Sequence, residues 1–424
     1  MKKRIAFISE HASPLAVLGG VDSGGQNVYV AELAKYLAAR GYTIDIFTRW
    51  DDSELPQVVN WMPGVRVVHM KAGPVRFVAK EELLGFMPQF TKSMLTYIRE
   101  ENIHYQLIHA NFFMSGMVAA DLKKRLHIPF VITFHALGHV RRIHQKEQDK
   151  FPKERLLIEK NIAAEADQII AECPQDREDL IRHYDASPEK ITIIPCGFSP
   201  AEFYPINQKL ARTIVGLPLE ERIILQLGRM VPRKGVDNVV KSLARLKSGL
   251  DDTRLVIVGG ETESPDPDLC PEIARLQQIA KENNVLDRVT FVGRKSREVL
   301  KYYYSAADLF ITTPWYEPFG ITPLEAMACG TPVIGSNVGG IKYSVEDETT
   351  GFLVPPNDPQ ALADKISLLL SNDLLLGAMK FNSIKRVNSM FTWANVARLV
   401  ENMYSRLPVP LEIVSSLDKK SKAA

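Results

Sequence analysis

Residues 309–335 read LFITTPWYEPFGITPLEAMACGTPVIG, and this stretch decides the fold. It opens on a short apolar run, Leu309–Thr312, bounded by polar and proline residues as a strand is. Thr322–Cys329 follows as a helix, with Pro323 in the first turn, where the missing N–H has no partner to lose. Pro332–Gly335 is strand-like again. A strand, a helix and a second strand in one short segment make a crossover unit, and crossover units build parallel sheets with helices on both faces.

The same rhythm runs outward in both directions. Towards the C-terminus comes the strand Gly351–Val354, then the helix Pro359–Leu370 and a last helix over Thr392–Arg406. Upstream lie strands at Ile223–Leu227, Leu255–Val258 and Val289–Val292, with helices at Gly235–Leu246, Pro271–Asn283 and Arg297–Ser305. The first half supplies strands at Ile5–Ser9, Thr43–Thr48, Val65–Met70, Leu107–Ala110, Phe130–Phe134, Gln168–Ala171 and Ile191–Pro195. Its helices are Gln26–Ala39, Lys80–Glu101, Ser115–Leu126, Lys153–Glu165 and Pro174–Tyr184. Thirteen strands are too many for one comfortable sheet. The reading is therefore α/β, with two doubly wound Rossmann-like domains facing across a cleft. Turn-rich residues from Pro195 to Pro205 mark the join. The expected division is an acceptor domain at 1–200, a donor domain at 201–391, and a helix with a polar tail at 392–424.

Composition narrows the function. Hydrophobic residues make up 46% and charged residues 24%, which excludes a disordered chain. Lys and Arg total 52 against 50 Asp and Glu, a net of +2 that gives no footprint for nucleic acid. The four cysteines form no C-x-x-C pair, so they imply neither a zinc site nor a disulfide framework. No signal peptide and no apolar run of membrane-spanning length is present, and a cytoplasmic location is expected. The sequence is silent on oligomeric state.

Ligands of doubly wound sheets sit at the carboxyl ends of the strands. Four segments lie there. Leu227–Gly235 carries Arg229 and Lys234, two cations suited to a diphosphate, although a basic turn in solvent would look the same. Glu317–Glu325 carries two carboxylates flanking a helix start, with Phe319, Gly320, Ile321 and Thr322 between them. Carboxylates accept hydrogen bonds from hydroxyls, so the pair suits two parts of one polyhydroxylated ligand. Gly19–Asn27 is glycine-rich and opens a helix, yet it does not spell the dinucleotide fingerprint. His135 ends a strand.

Together these motifs resemble the donor signature of retaining glycosyltransferases of the GT-B fold, in the family of sucrose-phosphate synthases, sucrose synthases and mycothiol-pathway glycosyltransferases. The resemblance covers about residues 4–405. It implies that Arg229 and Lys234 neutralise a nucleotide diphosphate, and that Glu325 holds the ribose. It places Glu317 and the Phe319–Thr322 backbone at the transferred sugar, Gly24 and Gly25 near the β-phosphate, and Arg294 beside the base. His135, Glu317, Arg229 and Lys234 form the expected catalytic set. No general base is assigned, because the departing phosphate oxygen can take the acceptor proton. No cofactor is essential: the UDP-sugar is a substrate, and Mg2+ is at most a stimulant. Asp266-Pro267-Asp268 spells D-x-D but sits in a Pro-rich stretch and reads as surface.

Residues 141–160 carry seven Lys or Arg against four Asp or Glu. With Arg76 and Lys80 they suit a phosphorylated acceptor, while a basic face in solvent is the plainer alternative. The resemblance places Lys80 and Arg155 on the acceptor phosphate, and Gln26, Asn27, Arg76 and Arg142 near the acceptor. Where the inositol-phosphate enzymes have a Tyr and a Thr, this chain has Phe112 and Ala136. His135-Ala136-Leu137-Gly138 and Asp22–Gln26 are closer to the sucrose branch. Fructose 6-phosphate is therefore the preferred acceptor and UDP-glucose the donor. Alternatives are transfer from UDP-N-acetylglucosamine to inositol phosphate, a GDP- or ADP-sugar donor, a lipid acceptor, or a sugar-nucleotide-binding regulator without turnover.

Overall fold

The structure is a computed structural model that describes residues 3–16 and 24–408. It divides into two compact units.

The first unit holds an eight-stranded sheet. Its strands are β1 (Lys3–Ile8), β2 (Tyr42–Arg49), β3 (Val58–Met62), β4 (Val65–Met70), β5 (Leu107–Asn111), β6 (Phe130–Thr133), β7 (Gln168–Ala171) and β8 (Ile191–Ile193). They lie in the order β3-β4-β2-β1-β5-β6-β7-β8, all parallel except β3. Strand β3 is an addition to the sequence reading. It is a partly exposed edge with no run of buried residues, joined to β4 through Pro63-Gly64. Such a hairpin rests on its turn rather than on a buried face.

The second unit holds six strands, all parallel. They are β9 (Arg222–Leu227), β10 (Thr253–Val258), β11 (Val289–Gly293), β12 (Leu309–Thr312), β13 (Val333–Ser336) and β14 (Gly351–Val354), in the order β11-β10-β9-β12-β13-β14. In each sheet the order reverses once, at β1/β5 and at β9/β12. Loops leaving two such neighbours diverge to opposite faces and open a crevice between them. The loops after β9 and β12 are those that carry Arg229–Lys234 and Glu317–Thr322.

The helices follow from apolar spacing and caps, with three departures. The segment Lys80–Glu101 is not one helix. Lys80–Glu82 and Leu84–Phe86 are 3-10 turns, and the helix proper is Met87–Glu100. Pro88 accounts for this, because a proline is tolerated in a first turn and breaks a helix interior. The helices Gly138–Gln145, Gln208–Val215, Asp373–Met390 and the single turn Ile341–Ser344 were not expected. Finally, the last helix, Trp393–Tyr404, straddles the division, and residues from Val396 onward count with the first unit. There Tyr404 Oη lies 2.6 Å from the Nδ1 of the buried His109, and Glu401 pairs with Arg40. The tail beyond Pro408 lies outside the described residues. Among the described residues no helix is long and apolar enough to cross a membrane.

Candidate active site

In the second unit the two loops at the β9/β12 switch point are packed together. Gly235 has φ +64, and a Cβ there would lie 2.0 Å from the Thr313 carbonyl oxygen. Only glycine fits both constraints. This contact brings Lys234 to Glu317, and the two side chains form an ion pair. Arg233 Nη1 stands 3.8 Å from the same carboxylate and its guanidinium lies over the Tyr316 ring at 5.2 Å. Behind Glu317, Gly339 makes a second close approach: a Cβ there would lie 1.9 Å from the Glu317 carbonyl oxygen.

The charges in this loop pair are strongly coupled. Burial pushes the Lys234 ammonium down, to about 8, with Glu317 opposing and Arg233 and Arg229 reinforcing the fall. Burial pushes the Glu317 carboxyl up, but Lys234, Arg233 and Arg229 outweigh it and hold the group below the usual range. Three cations converge on this one carboxylate. That is the field a diphosphate would fill.

Glu325 is 2% exposed and already held. Arg297 Nη1 donates to Oε1 at 2.8 Å and Tyr304 Oη to Oε2 at 2.9 Å, while Arg297 Nε donates to Glu202 at 2.7 Å. Each carboxylate oxygen accepts more than one bond, so a ribose hydroxyl can still be received. The half-buried Arg294 donates its backbone N–H to the Thr262 carbonyl at 2.7 Å. Phe319 is buried, and Gly320, Ile321 and Thr322 are partly exposed at the start of the helix Thr322–Ala328.

In the first unit, His135 follows β6 with φ +58, a conformation uncommon outside glycine. Its Nδ1 lies 3.1 Å from Glu172 Oε1, and its Nε2 lies 3.1 Å from Asn111 Oδ1. The Tyr29 ring meets it edge-on at 4.7 Å. Gln26 Nε2 donates to Ser9 Oγ and to the Asn111 carbonyl, tying the ends of β1 and β5. Gly24 and Gly25 begin the first helix and are partly or fully exposed, whereas Asp22 and Ser23 lie outside the described residues.

Two expectations for the acceptor change here. Asn27 is committed to backbone partners. It is 3% exposed, accepts from the Gly24 N–H at 2.9 Å and donates to the Ser13 carbonyl at 2.9 Å, so it staples the helix start to the preceding loop. Arg155 is not an open phosphate ligand. It is 1% exposed, its Nε donates to Glu159 at 2.7 Å, and its Nη2 donates to the Ala136 carbonyl. The rings of Phe112, Phe113 and Phe151 surround its guanidinium at 4.5–4.9 Å. Its Nη1 is buried with no hydrogen-bond partner. Arg76 is exposed, and Lys80 is half-buried on its 3-10 turn. Arg142 is partly exposed, with Nε 3.9 Å from Asp149 Oδ2.

Comparison with known proteins decides the family. The model for glycosyl transferases group 1 matches residues 207–386, and that for glycosyltransferase family 4 matches residues 23–202. A D-inositol 3-phosphate glycosyltransferase of Salinispora tropica is 35% identical over 95% of this chain and 85% of its own. The chain belongs to the group 1 glycosyltransferases. A second relative of this glycosyltransferase, also a D-inositol 3-phosphate glycosyltransferase, comes from Corynebacterium jeikeium. It is 34% identical over 96% of this chain and 97% of its own. Among solved structures, the sucrose-phosphate synthase of Thermosynechococcus elongatus superposes with a TM-score of 0.87 at 37% identity, covering 95% of this chain and 98% of the other. A UDP-glucose complex of Anabaena HepE superposes at 0.74 with 20% identity over 95% and 100% of the two chains, which shows the shared GT-B fold.

The sequence reading of this glycosyltransferase missed five residues now seen at its sites: Arg233, Arg297, Tyr304, Glu172 and Asn111. Glu172 and Asn111 each stand at the carboxyl end of a strand. The positional rule that selected His135 selects them too. Arg297 and Tyr304 lie inside a helix and carry no such signal.

Proposed function

We propose that this glycosyltransferase moves glucose from UDP-glucose to fructose 6-phosphate with retention of configuration, giving sucrose 6-phosphate. One feature carries the choice of acceptor. Phe112 and Ala136 stand where the resemblance gives the inositol-phosphate enzymes a Tyr and a Thr, so both hydroxyls are missing here. A site that reads an acceptor through side-chain hydroxyls loses discrimination when they are gone. The likeness to a sucrose-phosphate synthase at 37% identity supports the same reading.

The chemistry follows from charge. The bond between the anomeric carbon and the diphosphate oxygen breaks, and a bond from that carbon to the acceptor oxygen forms. The acceptor proton passes to the departing phosphate oxygen. Negative charge therefore grows on the diphosphate, where Arg229, Arg233 and Lys234 are already fixed. These side chains supply the neutralisation, so no metal is essential to the scheme. Glu317, paired with Lys234, holds hydroxyls of the transferred sugar, and Glu325 those of the ribose. Lys80 and Arg142 hold the acceptor phosphate, with Arg76 at its edge.

The names of the curated relatives favour a second reading, in which N-acetylglucosamine moves from its UDP-sugar to inositol phosphate. UDP release separates the two. UDP-glucose is offered with fructose 6-phosphate, fructose or inositol 1-phosphate, and UDP-N-acetylglucosamine with the same three. Release with UDP-glucose and fructose 6-phosphate alone supports the proposal. Release with inositol phosphate alone overturns it in favour of the second reading.

A further inference from the structure

The strained His135 is gripped at both ring nitrogens, and the nature of the two partners fixes how many protons the ring carries. Asn111 Nδ2 faces two backbone carbonyls, those of Ile8 at 3.3 Å and His109 at 3.4 Å. Carbonyl oxygens only accept, so the amide is oriented with its NH2 towards them and its Oδ1 towards His135 Nε2. On the other side Nδ1 meets a carboxylate oxygen of Glu172, whose side chain is 5% exposed. An imidazole flanked by an amide oxygen and an ionised carboxylate satisfies both only when both nitrogens carry hydrogen.

We infer that Glu172 and Asn111 hold the His135 ring as a doubly protonated, fixed cation, which makes Glu172 a positioning residue and denies His135 the role of base. The neighbours agree. Asp176, on the helix Pro174–Tyr184, accepts the Glu172 backbone N–H at 2.9 Å. Burial first, and then the charge of Glu172, push the Asp176 carboxyl up to about 8. His109, on β5, sits between Tyr404 Oη and Thr133 Oγ1 at 2.6 and 2.9 Å. Burial, with His135 adding to it, pushes His109 down to about 3, so the inner histidine stays neutral beside the outer one. From the first helix, Tyr29 presents a ring edge and no charge. The bearing on catalysis rests on the proposed function. A ring with no free lone pair cannot take the acceptor proton, which leaves the departing phosphate oxygen to do so.

The test is nitrogen NMR of the full chain labelled with 15N-histidine, at pH 7.5, with His135 assigned by difference from His135→Asn. The expected spectrum of the unmodified protein shows both His135 ring nitrogens protonated. One protonated and one bare nitrogen overturns the inference outright, and this needs no variant. In Glu172→Gln an acceptor oxygen remains but the countercharge is gone. The ring then loses one proton, and Glu172→Asp restores the doubly protonated form. In turnover assays Glu172→Gln lowers kcat about tenfold or more with donor KM within about twofold. A rise in KM alone would overturn the positioning role. If the ring is doubly protonated and His135→Asn still turns over as the unmodified protein does, the clamp stands and the proposed transfer site falls.

Discussion

Replacing Arg155 by Met should unfold the first unit well before it changes how the enzyme reads its acceptor. The guanidinium is 1% exposed and shares an ion pair with Glu159, whose carboxylate is fully buried. That carboxylate also receives the Gly138 N–H at 2.9 Å and the Tyr184 hydroxyl at 2.6 Å, so it anchors the helix that follows His135. Removing the arginine leaves a buried charge without its cation, a change that costs about 3–5 kcal/mol. At roughly 2–4 °C per kcal/mol for a unit of this size, the melting temperature falls by about 10 °C. Methionine fills the space between the three phenylalanine rings, so the loss is electrostatic rather than a cavity. The check is thermal unfolding of Arg155→Met, Glu159→Gln and the double variant. In the double variant the orphaned charge is gone, and its loss should be clearly smaller than the sum of the two single losses. An Arg155→Met protein within about 1 kcal/mol of the unmodified one, with only the acceptor KM raised, would refute this reasoning and make Arg155 an accessible phosphate ligand.

Other outcomes are equally open to measurement. In the proposed function UDP pairs with the protonated form of Lys234, whose ammonium is lowered to about 8, so UDP affinity should fall as pH rises through about 8. Titration calorimetry from pH 7 to 9 checks this, and Lys234→Arg should flatten the slope. Asp176 has a folded-state value raised to about 8, above that of the unfolded chain, so the folded state binds the extra proton and stability falls as pH climbs from about 4 towards 8. Asp176→Asn should accordingly raise the melting temperature more at pH 8 than at pH 5. Tyr304→Phe removes one hydrogen bond from Glu325, worth about 1 kcal/mol, and should raise the donor KM about fivefold while a 2′-deoxyribose donor is little affected. Gly339→Ala would push a methyl into the Glu317 carbonyl and should abolish UDP binding, measured against a folding control by circular dichroism.

The parallel strands were legible because they are buried on both faces and read as unbroken apolar runs. Leu309–Thr312, Gln168–Ala171 and Gly351–Val354 agree residue for residue. Strand β3 was not, since an exposed hairpin has no core face to impose a pattern on Val58–Met62. The donor cations were legible because a loop after a strand is where a ligand sits, and Arg229 and Lys234 stand there in a segment of nine residues. What spacing could not give is partnership. Arg155 looked like a free cation because Glu159, one helical turn later, reads equally as a surface pair. The nearby Phe151 and the distant Phe112 and Phe113 close over it together, which no local spacing shows. Asn27 was misread for the same reason, as its partners are backbone groups.

The union of Tyr404 with His109 spans 295 positions of the chain. At about 5–20 residues per second, a ribosome needs roughly 15–60 s to travel from one to the other. Strands β6 to β8 are added early in that interval, but until its end the first unit lacks the helix that carries Tyr404, and His109 Nδ1 lacks its partner. The second unit is synthesised whole within the same interval. Birth order therefore reverses the usual expectation: the domain begun first is the last to be finished. A chain cut short at residue 395 should remain in that unfinished state, with His109 lacking its Tyr404 partner.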